Sequence, residues 1–186
     1  PANISSAAGC GTATAALSAG GNPQLTTSAI YNGSSWTTNP GLNTGRFGIA
    51  CFGISTAAVA VGGDQNPGDT WTAGTAYPIV ISVGGGLGTN AAGLVAGGTT
   101  SPSFAITGVT NEYASGTWTA GGALATTSRM GGSVGTQTAG LYMAGATGPD
   151  ENTSRITTTQ TYDGSTWTNS PISMNNACNG VGSSGT

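Results

Sequence analysis

The 186-residue sequence contains no histidine and no lysine, and its charged residues are three arginines and six acids. Without histidine, Ser-His-Asp and Cys-His catalysis and imidazole metal ligation are excluded. Three arginines cannot neutralise the phosphates of a nucleic-acid duplex, nor can they form the basic face of a membrane-surface helix. No apolar run approaches the ~18 residues of a transmembrane helix. We therefore expect no nucleic-acid partner, no membrane insertion and no metal or other cofactor.

Two short phrases recur along the chain, and glycine is abundant in both (34 residues in all). A Tyr-to-Trp phrase in which Trp follows Tyr by five residues begins at Tyr31, Tyr113 and Tyr162. An Ala-rich apolar phrase ends in the pairs Gly20-Gly21, Gly62-Gly63 and Gly97-Gly98, with a variant at Gly145-Ala146. The Gly pair follows the preceding Trp by 26, 26 and 27 residues. This regularity indicates a repeat protein.

Each repeat unit predicts four short strands and no helix. In the second unit, residues 47–52 and 56–61 are the expected first and second strands, and in the other units the third strand leads into Tyr and the fourth begins at Trp. Asn32-Gly33 and Asp163-Gly164 suit two-residue hairpin turns. The short second unit lacks the Tyr phrase, so we expect it to miss most of one strand. Regular short strands in such units are typical of an all-β propeller.

The order of apolar strand, Gly-Gly, variable loop, Tyr-Asp-Gly, Trp and then Arg resembles the kelch repeat, with Gly45-Arg46 and Ser128-Arg129 as the arginine positions. The Ala/Thr/Gly-rich style, seen in Gly11-Thr12 and Gly135-Thr136, is similar to kelch-like repeats in predicted virion and tail proteins of marine bacteriophages. The resemblance implies a kelch-like propeller. Copper-oxidase activity does not carry over, because its histidine ligands are missing.

The resemblance covers nearly the whole chain. We expect residues 1–186 to form one repeat domain, with units at about 7–46, 47–81, 82–129 and 130–176 and a spare first strand at 177–186. Three explanations of the spare strand stay open: a longer propeller chain, a ring completed by another copy, or a strand exchanged between neighbours. A solenoid of stacked rungs is a further alternative fold, suggested by the run Val83 to Gly86.

The aromatic and sulfur side chains are expected to be structural. One Trp in each unit (Trp36, Trp71, Trp118 and Trp167) suggests packing between neighbouring units rather than sugar stacking. The three cysteines, Cys10, Cys51 and Cys178, all fall in the first-strand phrase. Their odd number and equivalent placement favour small packed side chains over a disulfide.

The acidic residues are the candidate binding groups. Four of the six lie in the segment whose length varies between units, where repeat proteins place binding loops. The predicted binding residues are Asp64, Asn66, Asp69, Asp150, Glu151 and Asn152. Oxygen donors on loops suit sugar hydroxyls or Ca²⁺, but the spacing matches no calcium loop, and these residue types are also common in solvated turns.

The low charge content is the main physical indication of function. Soluble surfaces usually carry roughly 25–35 % charged residues, whereas charged residues make up 5 % of this chain. A surface of Thr, Ser, Asn and Gly hydrates without charge and packs against copies of itself. We therefore expect a non-enzymatic structural or adhesive module of a phage virion, a decoration or tail-fibre protein. Its expected partners are other virion proteins, copies of itself or a surface glycan. The alternative is a secreted, extracellular propeller that binds or cleaves carbohydrate.

Overall fold

A computed structural model describes residues 4–64 and 75–181, and within these ranges the chain is all-β, with no helix and hence none able to cross a membrane. Sheet one contains β1 (Ala8–Thr12), β2 (Ala15–Ala19), β3 (Ser28–Tyr31) and β4 (Trp36–Asn39). Sheet two contains β5 (Ala50–Ile54) and β6 (Ala57–Val61), and a small sheet contains β7 (Ile81–Ser82), β10 (Thr99–Thr100) and β11 (Ala105–Ile106). Sheet three contains β8 (Gly85–Gly88), β9 (Ala92–Ala96), β12 (Thr110–Ala114) and β13 (Thr117–Ala120). Sheet four contains β14 (Gly132–Thr136), β15 (Ala139–Met143), β16 (Thr159–Tyr162) and β17 (Trp167–Asn169).

All neighbouring strands in these sheets are antiparallel, and sheets one and four each run in sequence order. The predicted strands of the second unit lie within a few residues of β5 and β6, and β4 and β17 begin at the expected Trp. Only two strands of the second unit are present among the described residues. Its variable segment, residues 65–74 with Trp71, lies outside them.

The turns between the third and fourth strands differ from the prediction. Tyr31 pairs directly with Trp36, so the loop has four residues rather than two. The Asn32 side-chain oxygen accepts hydrogen bonds from the Ser34 and Ser35 amides, both at 3.0 Å. Such a turn is closed by an Asx side chain. Gly33 is needed because its φ is +96°.

A ladder of backbone hydrogen bonds links equivalent residues of successive sheets along one rim. All five residues have φ between 53° and 66°, and the first four stand just before the first strand of a sheet. The members are Ser6, Gly48, Val83, Met130 and Gly180. From Gly48 onward, the amide of each member donates to the carbonyl of the member before it, at 3.1, 2.7, 2.9 and 2.8 Å in that order. A positive φ costs a residue other than glycine on the order of 1–2 kcal/mol. Its recurrence at Val83 and Met130 indicates that the ladder offsets this cost.

A second series of bonds ties the end of each second strand to the next sheet. Gly21, Gly63, Gly98 and Gly145 donate to the carbonyls of Arg46, Ile81, Ser128 and Cys178, at 2.8 to 3.0 Å. The last pair of the repeat is therefore Ala144-Gly145 rather than Gly145-Ala146, and Ala144 follows Trp118 by 26 residues, as the other pairs follow their Trp. The same bonds align Arg46 with Ser128. The predicted equivalence of Arg46 and Arg129 is therefore wrong by one residue.

The first strands of the four sheets lie side by side in the order β1, β5, β8 and β14. No contact of comparable extent joins β14 back to β1. A cleft of about 620 Å³ lies against these four strands and is lined largely by Gly and Ala. The described residues thus form an open series of sheets, and no closed ring is formed by them.

Neighbouring sheets pack through an apolar side chain that inserts over a small residue of the next sheet. Phe52 of β5 lies over Gly93 of β9, where an added Cβ would come within 2.1 Å of the Phe52 ring. Tyr113 and Trp118 surround this site, with ring centroids 5.8 and 6.2 Å from that of Phe52. We call the inserted side chain the knob, and the small residue with its Tyr and Trp the socket.

The next interface repeats this arrangement. Leu87 of β8 is the knob, and an added Cβ at Gly140 of β15 would lie 3.1 Å from it. Tyr162 and Trp167 complete the socket, with ring centroids 4.9 Å apart. The Trp167 indole also donates to the Thr110 hydroxyl of sheet three at 3.0 Å. The expected packing of tryptophan between units is confirmed for Trp118 and Trp167. It is wrong for Trp36, which is largely exposed among the described residues, and Trp71 lies outside them.

The expectation that all three cysteines are packed thiols is wrong for two of them. Cys10 and Cys51 form a disulfide between β1 and β5, with their Cα atoms 5.7 Å apart. They lie one position apart in the repeat, and successive strand residues point to opposite faces. Cys10 therefore faces sheet two and Cys51 faces sheet one. Cys178 is free and half-buried.

Replacing both bonded cysteines (Cys10→Ser with Cys51→Ser) should lower the free energy of unfolding by roughly 3–4 kcal/mol, because the bridge closes a loop with a sequence separation of 41. Urea unfolding followed by tryptophan fluorescence measures this change. Cys178→Ser is the matched control and should leave the midpoint in place. An equal midpoint for the wild type with and without reductant would contradict the bridge.

Gly93→Ala should destabilise the protein by about 1–3 kcal/mol, because the new methyl group overlaps the Phe52 ring. Gly9→Ala is the matched control, because an added Cβ there meets only the Leu17 carbonyl oxygen, at 3.8 Å. Thermal unfolding of the two variants compares them directly. Equal melting temperatures would show that the socket does not need glycine.

Candidate functional site

The loops that follow the second strands all leave from the rim that carries the ladder. In each unit, the residue that follows the Gly pair forms an antiparallel β-bridge. Its partner is the residue that directly precedes the ladder residue of the same unit. The bridged pairs are Ser5 with Asn22, Phe47 with Asp64, Ser82 with Thr99 and Arg129 with Ala146. Since these loops vary in length while their anchors do not, the rim is a constant frame that presents variable loops. We call it the loop rim.

A pocket of about 430 Å³ opens on the loop rim between sheets two, three and four. Its polar and aromatic lining consists of Ser6, Phe47, Asp64, Ser82, Thr99, Phe104, Arg129 and Glu151. The Ser82 and Thr99 hydroxyls are 2.9 Å apart and buried. The Phe104 side chain is 66 % exposed. The pocket therefore combines hydrogen-bonding groups with an aromatic surface open to solvent.

Arg129 holds one wall of this pocket in place. Its guanidinium lies 3.3 Å from the Glu151 carboxylate, and the Arg129 side chain is 14 % exposed against 47 % for Glu151. It also donates to the backbone carbonyls of Gly148 and Pro149, at 3.3 and 2.8 Å. A partly exposed pair of this kind contributes at most about 1 kcal/mol to stability. Its structural effect is to fix the loop after β15 against the rim.

Asp150 and Asn152 shape the tip of that loop. The Asp150 carboxylate accepts the Asn152 amide at 2.8 Å. This bond, together with one from the Thr153 side chain, lowers the pKa of Asp150. The Asn152 side-chain oxygen accepts from the Arg155 guanidinium at 2.6 Å, and Arg155 also donates to the Glu151 carbonyl. Both predicted residues are thus engaged within their own loop.

The six predicted binding residues separate into three groups. Asp64 and Glu151, which are distant in sequence, line the same pocket. Asp150 and Asn152 lie on the loop tip, and neither is among the pocket-lining residues. Asn66 and Asp69 lie outside the described residues. Within the described ranges, no group of three or more His, Cys, Asp or Glu side chains could hold a metal ion.

The pocket residues that were not predicted from the sequence include Phe104 and Arg129. Phe104 stands alone in a polar segment of the third variable loop, and an isolated aromatic in such a segment is a detectable signal. Arg129 was noted only as a repeat landmark. Its contact with Glu151 depends on how the loop of residues 147–155 folds back, which has no signature in the sequence.

Two tyrosines, half-buried Tyr77 and buried Tyr162, give the protein a response to alkaline pH. Burial raises the pKa of Tyr77 to about 12, against the effect of its hydrogen bond from Asn111. Burial is the main cause that raises the pKa of Tyr162 to about 12, and the hydrogen bond that its hydroxyl donates to the Glu112 carboxylate at 2.6 Å contributes to this rise.

Stability should therefore fall as the pH rises above 10. The unfolded chain releases its phenol protons near pH 10, whereas folded Tyr77 holds its proton until about pH 12. The stabilisation is complete below pH 10 and is lost toward pH 12, and for Tyr77 it amounts to at most about 3 kcal/mol. Urea midpoints measured from pH 8 to pH 12 should fall less steeply for Tyr77→Phe. If the urea midpoints of Tyr77→Phe and the wild type fall equally with pH, the raised pKa of Tyr77 is contradicted.

Comparison with known proteins gives similarity at the level of fold. No protein-family model matches the chain, and neither does any curated protein sequence. The solved structure of YjhT is similar, with a TM-score of 0.74 at 10 % sequence identity. The match covers 95 % of this chain and 68 % of YjhT. Nearly the whole chain therefore shares its fold with a longer protein.

Proposed function

We propose that this chain forms four consecutive kelch-like blades of a β-propeller and serves as a non-enzymatic structural and adhesive module. We further propose that it is carried on the outside of a bacteriophage particle, as a decoration or tail-fibre component. The rim ladder is the observation that carries the proposal. It runs along the first strands of sheets one to four, which lie around one cleft, and it marks the rim that anchors the described variable loops.

The blade assignment is supported by the way the sheets pack. A propeller blade packs face to face on its neighbours, and its first strand lies nearest the axis. Here β1, β5, β8 and β14 adjoin in order, and the knobs Phe52 and Leu87 each enter the following sheet. A solenoid of continuous rungs would instead join its strands into long parallel sheets, whereas these sheets are separate and antiparallel.

The location outside the cell is supported by the disulfide and by the surface. A bridge between Cys10 and Cys51 persists in oxidising surroundings and is rare in a reducing cytosol. The chain also carries few charged residues. A surface hydrated by hydroxyl and amide groups is less sensitive to salt, because ion pairs are screened by salt. Both features suit a component of an extracellular particle.

The adhesive role is supported by the state of the loop-rim carboxylates. Glu151 is held by Arg129, and the lowered pKa of Asp150 keeps it ionised, which is the wrong state for a general acid. Exposed Phe104 offers an apolar face beside Asp64, whose carboxylate is suited to accept hydroxyl donors. An aromatic face beside hydrogen-bonding groups is a chemistry that recognises a neutral sugar. The same residues support the alternative function, a secreted carbohydrate-binding propeller.

Binding to an immobilised glycan array tests the adhesive role. Phe104→Ala should weaken binding about tenfold or more, corresponding to roughly 1.4 kcal/mol, while Glu151→Gln should reduce it less. Ile172→Ala is the matched control, because Ile172 is also highly exposed but does not line the pocket. The same glycans should release no new reducing ends. If the protein cleaves these glycans and Glu151→Gln abolishes the cleavage, the protein is a carbohydrate-active enzyme rather than an adhesive module.

The particle assignment has a separate test. Immunogold electron microscopy with an antibody to this chain should label the outside of intact phage particles in many copies. Label confined to soluble secreted material would favour the extracellular alternative.

A further inference from the structure

Sheet one presents an unfilled copy of the socket found in sheets three and four. Ala16 pairs with Tyr31 as Gly93 pairs with Tyr113 and as Gly140 pairs with Tyr162. The Tyr31 and Trp36 rings lie 5.2 Å apart, as in the other sockets. Trp36 is nevertheless 55 % exposed, whereas Trp167 is 5 % exposed. Nothing among the described residues covers Trp36 as sheet three covers Trp167.

Sheet four presents the matching knob at the other end of the series. Val134 is the fourth residue after Met130, as Leu87 is the fourth after Val83. The Ser133 hydroxyl donates to the Gly86 carbonyl of sheet three at 3.0 Å. Since successive strand residues face opposite ways, Val134 faces away from sheet three. It is only half-buried.

Knob and socket sizes are matched at the internal interfaces. The large knobs Phe52 and Leu87 lie over glycines, and the small Cys10 packs in the same cluster as Ala58, the equivalent position of sheet two. Valine is smaller than leucine or phenylalanine, and the open socket has alanine at its base. Val134 is therefore of the size that the Ala16 socket accepts.

We propose that the Ala16, Tyr31 and Trp36 socket of one copy binds the Val134 knob of a second copy, head to tail. This contact has the same arrangement of knob and socket as the interfaces that join sheet two to sheet three and sheet three to sheet four. The Ser6 amide of the copy that supplies the socket then competes with the Gly180 amide for the Met130 carbonyl of the copy that supplies the knob. Residues 177–181 of the knob copy must therefore move away from that carbonyl. A heterologous contact of this kind closes into a ring or extends as a chain. It requires only the repeat geometry and no bound glycan.

Sedimentation velocity with two complementary variants tests the contact. Trp36→Ala removes the socket wall and leaves the knob, whereas Val134→Asp places a charge on the knob and leaves the socket. The wild type should self-associate as its concentration rises, and each variant alone should be monomeric. An equimolar mixture should form a one-to-one dimer that does not grow, because only one intact socket and one intact knob remain.

Ile172→Ala controls for loss of an exposed apolar side chain and should associate like the wild type. Circular dichroism of each variant must match the wild type, so that a folding defect is recognised separately. Hydrogen exchange should show faster exchange at the Gly180 amide in the mixture than in either variant alone. A wild type that stays monomeric at every concentration, or a mixture in which the two variants do not pair, would overturn the proposal. Either failure would leave the glycan test unaffected.

Discussion

The backbone hydrogen bonds that run from Gly180 to Ser6 are the constraint on which the rest of the structure depends. They link the same backbone atom pair at each step, through residues that share one left-handed conformation. Because the bonds use backbone groups, they make little demand on side-chain identity, and the ladder residues are accordingly Ser, Gly, Val, Met and Gly. This explains how repeats with little common sequence keep one geometry.

The ladder sets the spacing of the sheets, and the side chains then fill the space between them. Phe52 packs over Gly93, and Leu87 packs over Gly140. In both interfaces a large side chain fills the space between the sheets because the residue opposite it has no side chain. The first interface uses smaller groups and adds the Cys10–Cys51 bond. Such a series has no natural end within itself, because sheets one, three and four each carry both a socket and a knob.

The candidate site follows from the same constraint. The bridges at the loop rim anchor loops of different length at matching points, so the loops can change without disturbing the sheets. Residues from separate units, such as Asp64 and Glu151, meet at one pocket for this reason. The loop after β15 is held mainly by its own polar contacts and by Arg129. Its conformation is therefore local, whereas its position is set by the rim.

The amino-acid sequence by itself determined the repeat, the all-β class and the positions of most strands, since these depend on local patterns such as Gly pairs and the Tyr-to-Trp spacing. It also indicated that tryptophans pack between units, which holds for Trp118 and Trp167 but not for Trp36. Only the tertiary structure decided that Cys10 faces Cys51, that Arg46 aligns with Ser128, and that Phe104 and Arg129 join the pocket. Each of these depends on the register between sheets to within one residue. A one-residue offset turns a strand side chain to the opposite face, and that register is set by hydrogen bonds between backbone atoms, which the identity of the side chains does not reveal.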